Sequence, residues 1–90
     1  MDFEWNNEKA RTNASKHGVS FDEAKTVFDD PLYVEFFDPD HSDNEERYII
    51  VGQSNQNRLL VVSYLERGQT IRLISARDAT RREREAYEEE

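Results

Sequence analysis

Residues 58–75 read RLLVVSYLERGQTIRLIS, and the fold follows from this stretch. Leu59-Leu60-Val61-Val62 is a continuous apolar run, so Arg58–Leu65 is expected to be a central strand buried on both faces. Arg67-Gly68-Gln69 is a tight turn, and Thr70–Ser75 returns as a further strand. A connection this short implies antiparallel neighbours. Upstream, Arg47–Val51 reads as a strand closed by Gly52, with Ser54-Asn55-Gln56-Asn57 as the turn that follows. Leu32–Phe37 reads as another strand, separated from it by the polar loop Asp38–Glu46. The expectation is a four-stranded antiparallel sheet.

Towards the N-terminus the period changes to a helical one. Glu8–His17 carries Ala10 and Ala14 four apart on one face, and Gly18 supplies the left-handed stop. Ser20-Phe21-Asp22-Glu23 is a capping box, after which Phe21, Ala24, Val27 and Phe28 recur at helical spacing. Asp29-Asp30-Pro31 ends that second helix, because the residue before proline is pushed out of the helical region. At the other end Thr80-Arg81-Arg82-Glu83 is a second capping box and opens a last helix, with Arg81–Glu85 and Arg84–Glu88 as i,i+4 pairs. The fold class is therefore α+β: two N-terminal helices, the sheet, and a C-terminal helix. Residues 1–90 form one domain, with the acidic residues 88–90 expected to fray.

Composition narrows the function classes. The chain has no cysteine, which excludes a disulfide framework, a thiolate nucleophile and a Cys-ligated zinc, and fits a reducing compartment. The opening Met1-Asp2-Phe3-Glu4 is unlike a signal peptide, and no apolar run has the length of a membrane span, so a cytoplasmic, membrane-free protein is expected. Walker, Rossmann, G-x-S-x-G and H-E-x-x-H patterns are all missing from the sequence. The net charge of −8 argues against nucleic acid, but its distribution does not. Residues 22–46 hold ten acids and one base, Lys25, whereas residues 47–87 hold eight arginines against four acids. Such asymmetry suits a protein with two differently charged faces, or simply two solvated surfaces.

Three segments are candidates for chemistry. Lys16-His17-Gly18 places a histidine at a helix C-terminus, where the dipole favours its protonated form and it can exchange a proton with an RNA hydroxyl. Lys9, Asn13 and Lys16 share a helical face and together suit phosphate contacts. An ordinary helix with a histidine at its end explains the same spacing. Arg72–Arg77 is the second candidate. Strand alternation puts Arg72 and Arg77 on opposite faces if the strand runs that far, and Arg81 and Arg84 follow on the last helix. A guanidinium grips phosphate with two parallel hydrogen bonds, yet a basic helix is also ordinary solvated surface. The third is the 38–47 segment. Asp38, Asp40 and Asp43 lack EF-hand spacing, so no metal is expected there, and His41 and Glu46 are its acid or base candidates.

Taken together, these segments resemble the BrnT family of type II toxins. The resemblance rests on Phe3, Trp5, Lys9, Asn13, the run Lys16–Phe21, and Ala24. It continues through Asp38-Pro39-Asp40-His41-Ser42, Glu46-Arg47 and Gly52, and ends with Arg72, Ile74-Ser75-Ala76-Arg77, Ala79, Glu83-Arg84 and Tyr87. Asn6 departs from the aspartate common after the tryptophan. The resemblance implies a RelE-like ribonuclease fold and metal-independent RNA cleavage that blocks translation, with no cofactor. It also implies a BrnA-type ribbon-helix-helix antitoxin, through which alone DNA would be contacted. Carried over residue by residue, it implies Lys16, His17, Arg47 and Arg77 as a catalytic site with Glu46 beside them, and Lys9, Arg72, Arg81 and Arg84 as RNA contacts. The inferred reaction is attack of a ribose 2′-hydroxyl on the adjacent phosphate. His17 or Glu46 is the base, and Arg47 and Arg77 stabilise the phosphorane. The competing class is a non-catalytic module whose arginine face binds a protein or nucleic acid.

Overall fold

A computed structural model describes residues 1–41 and 45–89. Five strands, β1 (Asp2–Glu4), β2 (Val34–Phe37), β3 (Arg47–Gln53), β4 (Leu59–Arg67) and β5 (Thr70–Asp78), form one sheet in the order β1-β5-β4-β3-β2. The helices are α1 (Asn7–His17), α2 (Phe21–Ala24) and α3 (Arg81–Glu88). The α+β class and the antiparallel β2-β3-β4-β5 meander agree with the sequence reading, and β4 is central as expected. The sheet is mixed rather than purely antiparallel, because Asp2–Glu4 adds a fifth strand parallel to Thr70–Arg72. Three residues are too few to show a period of two, which hides this strand in the sequence.

The N-terminal helices also differ in detail. Asn6 caps α1, its side-chain oxygen accepting from the Glu8 and Lys9 amides at 2.9 and 3.0 Å, a task asparagine and aspartate perform equally. Gly18 ends α1 in the left-handed conformation (φ 69°), as read. The second helix is shorter than its apolar spacing suggests: α2 stops at Ala24 and Lys25–Asp29 tighten into a 3-10 turn. Ser20 accepts from the Glu23 amide, but the Glu23 carboxylate does not complete the capping box. It turns inward to accept from Ser54 Oγ at 2.6 Å and from Arg58 at 2.7 and 3.0 Å, tying α2 to the β3–β4 turn. The Arg58 hydrogen bond holds the buried Glu23 carboxyl below the ordinary glutamate range. The box at Thr80 forms in both directions. On α3, Arg81 meets Glu85 at 3.5 Å, whereas Arg84 has no carboxylate partner among the described residues. The helix runs to Glu88.

The sheet separates two apolar layers. On the first face α1, α2 and the 3-10 turn cover Ile50, Leu60, Val62, Tyr64, Ile71, Leu73 and Ala76 with Val19, Phe21, Ala24 and Val27. Aromatic rings run across this face, from Phe3 to Phe28, Tyr64, Tyr48 and Phe37, with centroids 5.0–5.7 Å apart. Gly52 is required here: a Cβ would lie 2.9 Å from Val27 Cγ1 and 3.1 Å from Asp30 Oδ2. On the second face α3 covers only a smaller patch, where Ala79 and Tyr87 pack on Val51, Leu59 and Val61. The Tyr87 hydroxyl fastens the helix by donating to Asp30 Oδ2 at 2.6 Å.

Candidate nucleic-acid interface at the open edge of the sheet

Strand β1 covers β5 only as far as Arg72. Beyond that point β5 has lost its outer neighbour, and its backbone needs other partners. Asn13 supplies them. Its side-chain oxygen accepts from the Ala76 amide at 3.0 Å, and its amide donates to the Ala76 and Val19 carbonyls at 2.8 and 2.9 Å. Asn13 is therefore buried and fully engaged, and it does not join Lys9 and Lys16 as a phosphate contact. The buried side of α1 is Ala10 and Asn13, while Ala14 is exposed. Only a side chain with donor and acceptor in one plane can copy a strand edge, which is the physical reason for asparagine at this place.

Stitched this way, α1 lies along the outer half of β5 and leaves a cleft of about 440 Å³ between them. Lys9, Lys16 and His17 line it together with Asn6, Thr12 and Ser75. His17 is half-buried, and Lys9 and Lys16 are exposed. Arg58 donates to the Gly18 carbonyl at 3.0 Å and reaches Asp78 at 3.9 Å, which places the His17 end of α1 beside the C-terminal end of β5.

The arginines of β5 do not alternate as the sequence suggests. Ser63 pairs with Ser75 but Tyr64 pairs with Leu73, so Ile74 is an extra residue in β5. This bulge shifts the alternation by one. Arg72 pairs with Leu65 and Arg77 with Val61, four residues apart on a regular strand, so both arginines stand on the second face. Ser75 lies between them, opposite Ser63. Arg47 pairs with Leu65 and so shares this face in one row with Arg72.

Each of three arginines on the second face holds a carboxylate. Arg77 grips Glu83 through two bonds of 2.8 Å, Arg72 meets Glu4 at 2.8 Å, and Arg67 meets Glu45 at 2.6 Å and Glu4 at 3.2 Å. The Arg77 hydrogen bond is the main reason that the Glu83 carboxyl is held down to about 2. A guanidinium bound in this fork is oriented for a phosphate in the same plane.

The predicted site thus falls into groups. Lys9, Lys16 and His17 share the edge cleft. Arg77 stands at the same end of β5 on the other side of the sheet edge, next to the start of α3. Arg72 and Arg47 lie about 13 Å back along the strands, given some 3.3 Å per residue and the four-residue offset on β4. Glu46, exposed just before β3, belongs to that far end and is not brought to His17. Arg81 and Arg84 are exposed on the outside of α3. His41 closes a 3-10 turn at Pro39–His41, and Asp43 lies outside the described residues. Among the described residues no three carboxylates or histidines gather where they would hold a metal ion. No helix among them is long and apolar enough to cross a membrane. Sequence reasoning missed Ser75 as a cleft residue and the Arg77–Glu83 fork. The first is hidden by the bulge and the second by a six-residue separation across an element boundary.

Comparison with known proteins identifies the fold and the family. No curated protein matches the chain. The fold is similar to that of the Brucella abortus ribonuclease toxin BrnT, known from a 1.1 Å crystal structure, with a TM-score of 0.65 and 23% identity over 90% of this chain and 99% of that one. The sequence model of BrnT, the ribonuclease toxin of type II toxin–antitoxin systems, matches residues 5–83. That span takes in the edge cleft, Arg47, the β5 bulge and the Arg77–Glu83 fork, and the chain belongs to the BrnT family of ribonuclease toxins.

Proposed function

We propose that this toxin cleaves RNA without a metal ion at the open outer edge of β5. The observation that carries the reading is the bulge at Ile74, which brings Arg72, Ser75 and Arg77 to one face beside the cleft of Lys9, Lys16 and His17. An RNA strand crossing this edge meets cations from both sides. Lys9 and Arg72 hold flanking phosphates, and Arg81 and Arg84 extend the basic track over α3. The reacting phosphate lies between His17 and Arg77.

The His17 imidazole removes the proton of the ribose 2′-hydroxyl, and the 2′-oxygen attacks phosphorus. Arg77, exchanging Glu83 for the phosphate, stabilises the added negative charge in the phosphorane, with Arg47 and Arg72 contributing from farther along the sheet. The bond from phosphorus to the 5′-oxygen breaks, and the leaving oxygen takes a proton from Lys16. The products are a 2′,3′-cyclic phosphate and a 5′-hydroxyl. His17 is preferred to Glu46 as the base because it shares the β5 end with Arg77. The element order supports a RelE-like assignment, and the family supports a BrnA-type ribbon-helix-helix antitoxin in the cytoplasm, with DNA reached only through that partner.

The test is cleavage of a defined RNA by the purified chain in EDTA. The expected result is cutting that leaves cyclic phosphate ends, and no cutting where the scissile nucleotide is 2′-deoxy. Cleavage that requires added magnesium would remove the mechanism. Tight RNA or protein binding without any cleavage would favour a binding module.

A further inference from the structure

Among the described residues, four of the five exposed large hydrophobic side chains stand within six positions of each other: Leu32, Tyr33, Phe36 and Phe37, between 45% and 68% exposed. They lie in and just before β2, which is the edge strand opposite the edge at β1. The backbone there is open as well. Asp38 donates to the Arg47 carbonyl at 2.8 Å, so by antiparallel alternation Val34 and Phe36 bond to β3 while the amides and carbonyls of Glu35 and Phe37 point outward. No described strand pairs with that side. Natural edges are usually blunted by lysine, proline or a covering element. This one carries aromatic side chains on both faces instead.

The surrounding charge is mainly negative, although Arg47 of β3 stands beside the end of β2. Glu35 and Glu66 both stand on the first side of the sheet, and burial together with the charge of Glu66 pushes the Glu35 carboxyl up. Asp40 and Glu46 are exposed nearby in sequence, and among the described residues neither they nor Glu35 has a cation partner. A second copy of this chain would bring like charges together, and RNA would be repelled.

We propose that the outer edge of β2 is the docking surface for an extended, cationic and apolar segment of the antitoxin, added to the sheet as a sixth strand. Backbone bonds to Glu35 and Phe37 supply affinity, Phe36 and Phe37 receive the apolar side chains, and Glu35 with Glu66 receives a lysine or arginine. The proposal rests on the chain having a protein antitoxin, as its family does. Docking here leaves the β5 edge three strands away, so an antitoxin that also blocks RNA must reach that edge with another part of its chain.

The test uses the full-length toxin and the antitoxin co-expressed with it. Hydrogen exchange of the complex is expected to show strong protection of the Glu35 and Phe37 amides that is missing in the free toxin. Glu35→Lys and Phe36→Ser are each expected to weaken antitoxin binding by about tenfold or more, the scale of a lost interfacial anchor. RNA cleavage by the free variants should stay at the wild-type level, which also shows that they fold. Binding with both amides still exchanging freely would overturn this surface but leave the antitoxin pairing intact. No binding to the wild type would overturn both. Loss of RNA cleavage in Phe36→Ser with antitoxin binding unchanged would assign the aromatic residue to RNA and refute the proposal.

Discussion

Replacing Asn13 tests whether a side chain stands in for the missing strand beside β5. Asn13→Ala removes three hydrogen bonds of 2.8–3.0 Å and leaves the amide and carbonyl of Ala76, itself fully buried, without their partner. A typical net hydrogen bond contributes about 1 kcal/mol, and each buried group left unsatisfied costs roughly 1–3 kcal/mol. Water entering the emptied space would recover part of this, so the expected loss is about 3 kcal/mol. That is a large share of the stability of a small domain and lowers Tm by roughly 12–24 °C. Urea unfolding followed by far-UV circular dichroism measures it, with an unchanged m-value showing that the native state is intact. Asn13→Asp is the sharper comparison, because it keeps the shape and the acceptor for the Ala76 amide but turns an anion towards two carbonyls. Its native pKa is raised, so its stability is present below the unfolded aspartate range and lost as pH rises through the native value. The variant should be more stable at pH 4 than at pH 7, relative to wild type. A loss below about 1 kcal/mol in Asn13→Ala, or an aspartate variant indifferent to pH, would refute the stitch.

Glu83 behaves in the opposite sense: its carboxyl is held at about 2 by Arg77, so the stability it lends is present above the ordinary glutamate range and lost as pH falls from about 4.5 towards 2. Glu83→Gln should remove part of the acid slope of stability, and an unchanged slope would mean that the fork contributes nothing to α3. Gly52→Ala places a methyl 2.9 Å from Val27 Cγ1 and should cost on the order of 1–3 kcal/mol in denaturant unfolding. A neutral effect there would show that the 3-10 turn yields easily.

Much of the scaffold is legible in the sequence because it rests on local signals. The apolar run 59–62, the turn at Gly68 and the stop at Gly18 each act within a few residues, and β4, the β4–β5 hairpin and α1 form where they point. What escapes is non-local. The carboxylate of Glu23 fits a capping box by spacing, yet Ser54 and Arg58, distant in sequence, offer stronger bonds. Asn13 looks like a surface residue on a basic helix until the end of β1 exposes the β5 backbone that it must pair. Arg72 and Arg77 fall on one face only because of a bulge that no composition rule marks. The candidate site residues are named through the family resemblance alone, whereas their grouping around the β5 edge depends on the register of the sheet.

The most direct test of the account is the single-turnover rate of RNA cleavage by Arg77→Lys, compared with Arg67→Ala. Both arginines stand on the second face and both hold carboxylates, but Arg67 lies at the far end of β4. Lysine keeps the charge of Arg77 and loses the fork, so cleavage should fall by about 10²-fold, the scale of a lost transition-state contact, and stay low in moderate salt. Arg67→Ala should remain near the wild-type rate. Equal losses at the two positions that disappear on adding salt would mean that Arg77 only contributes to the field, and would contradict a reacting phosphate held at the β5 edge.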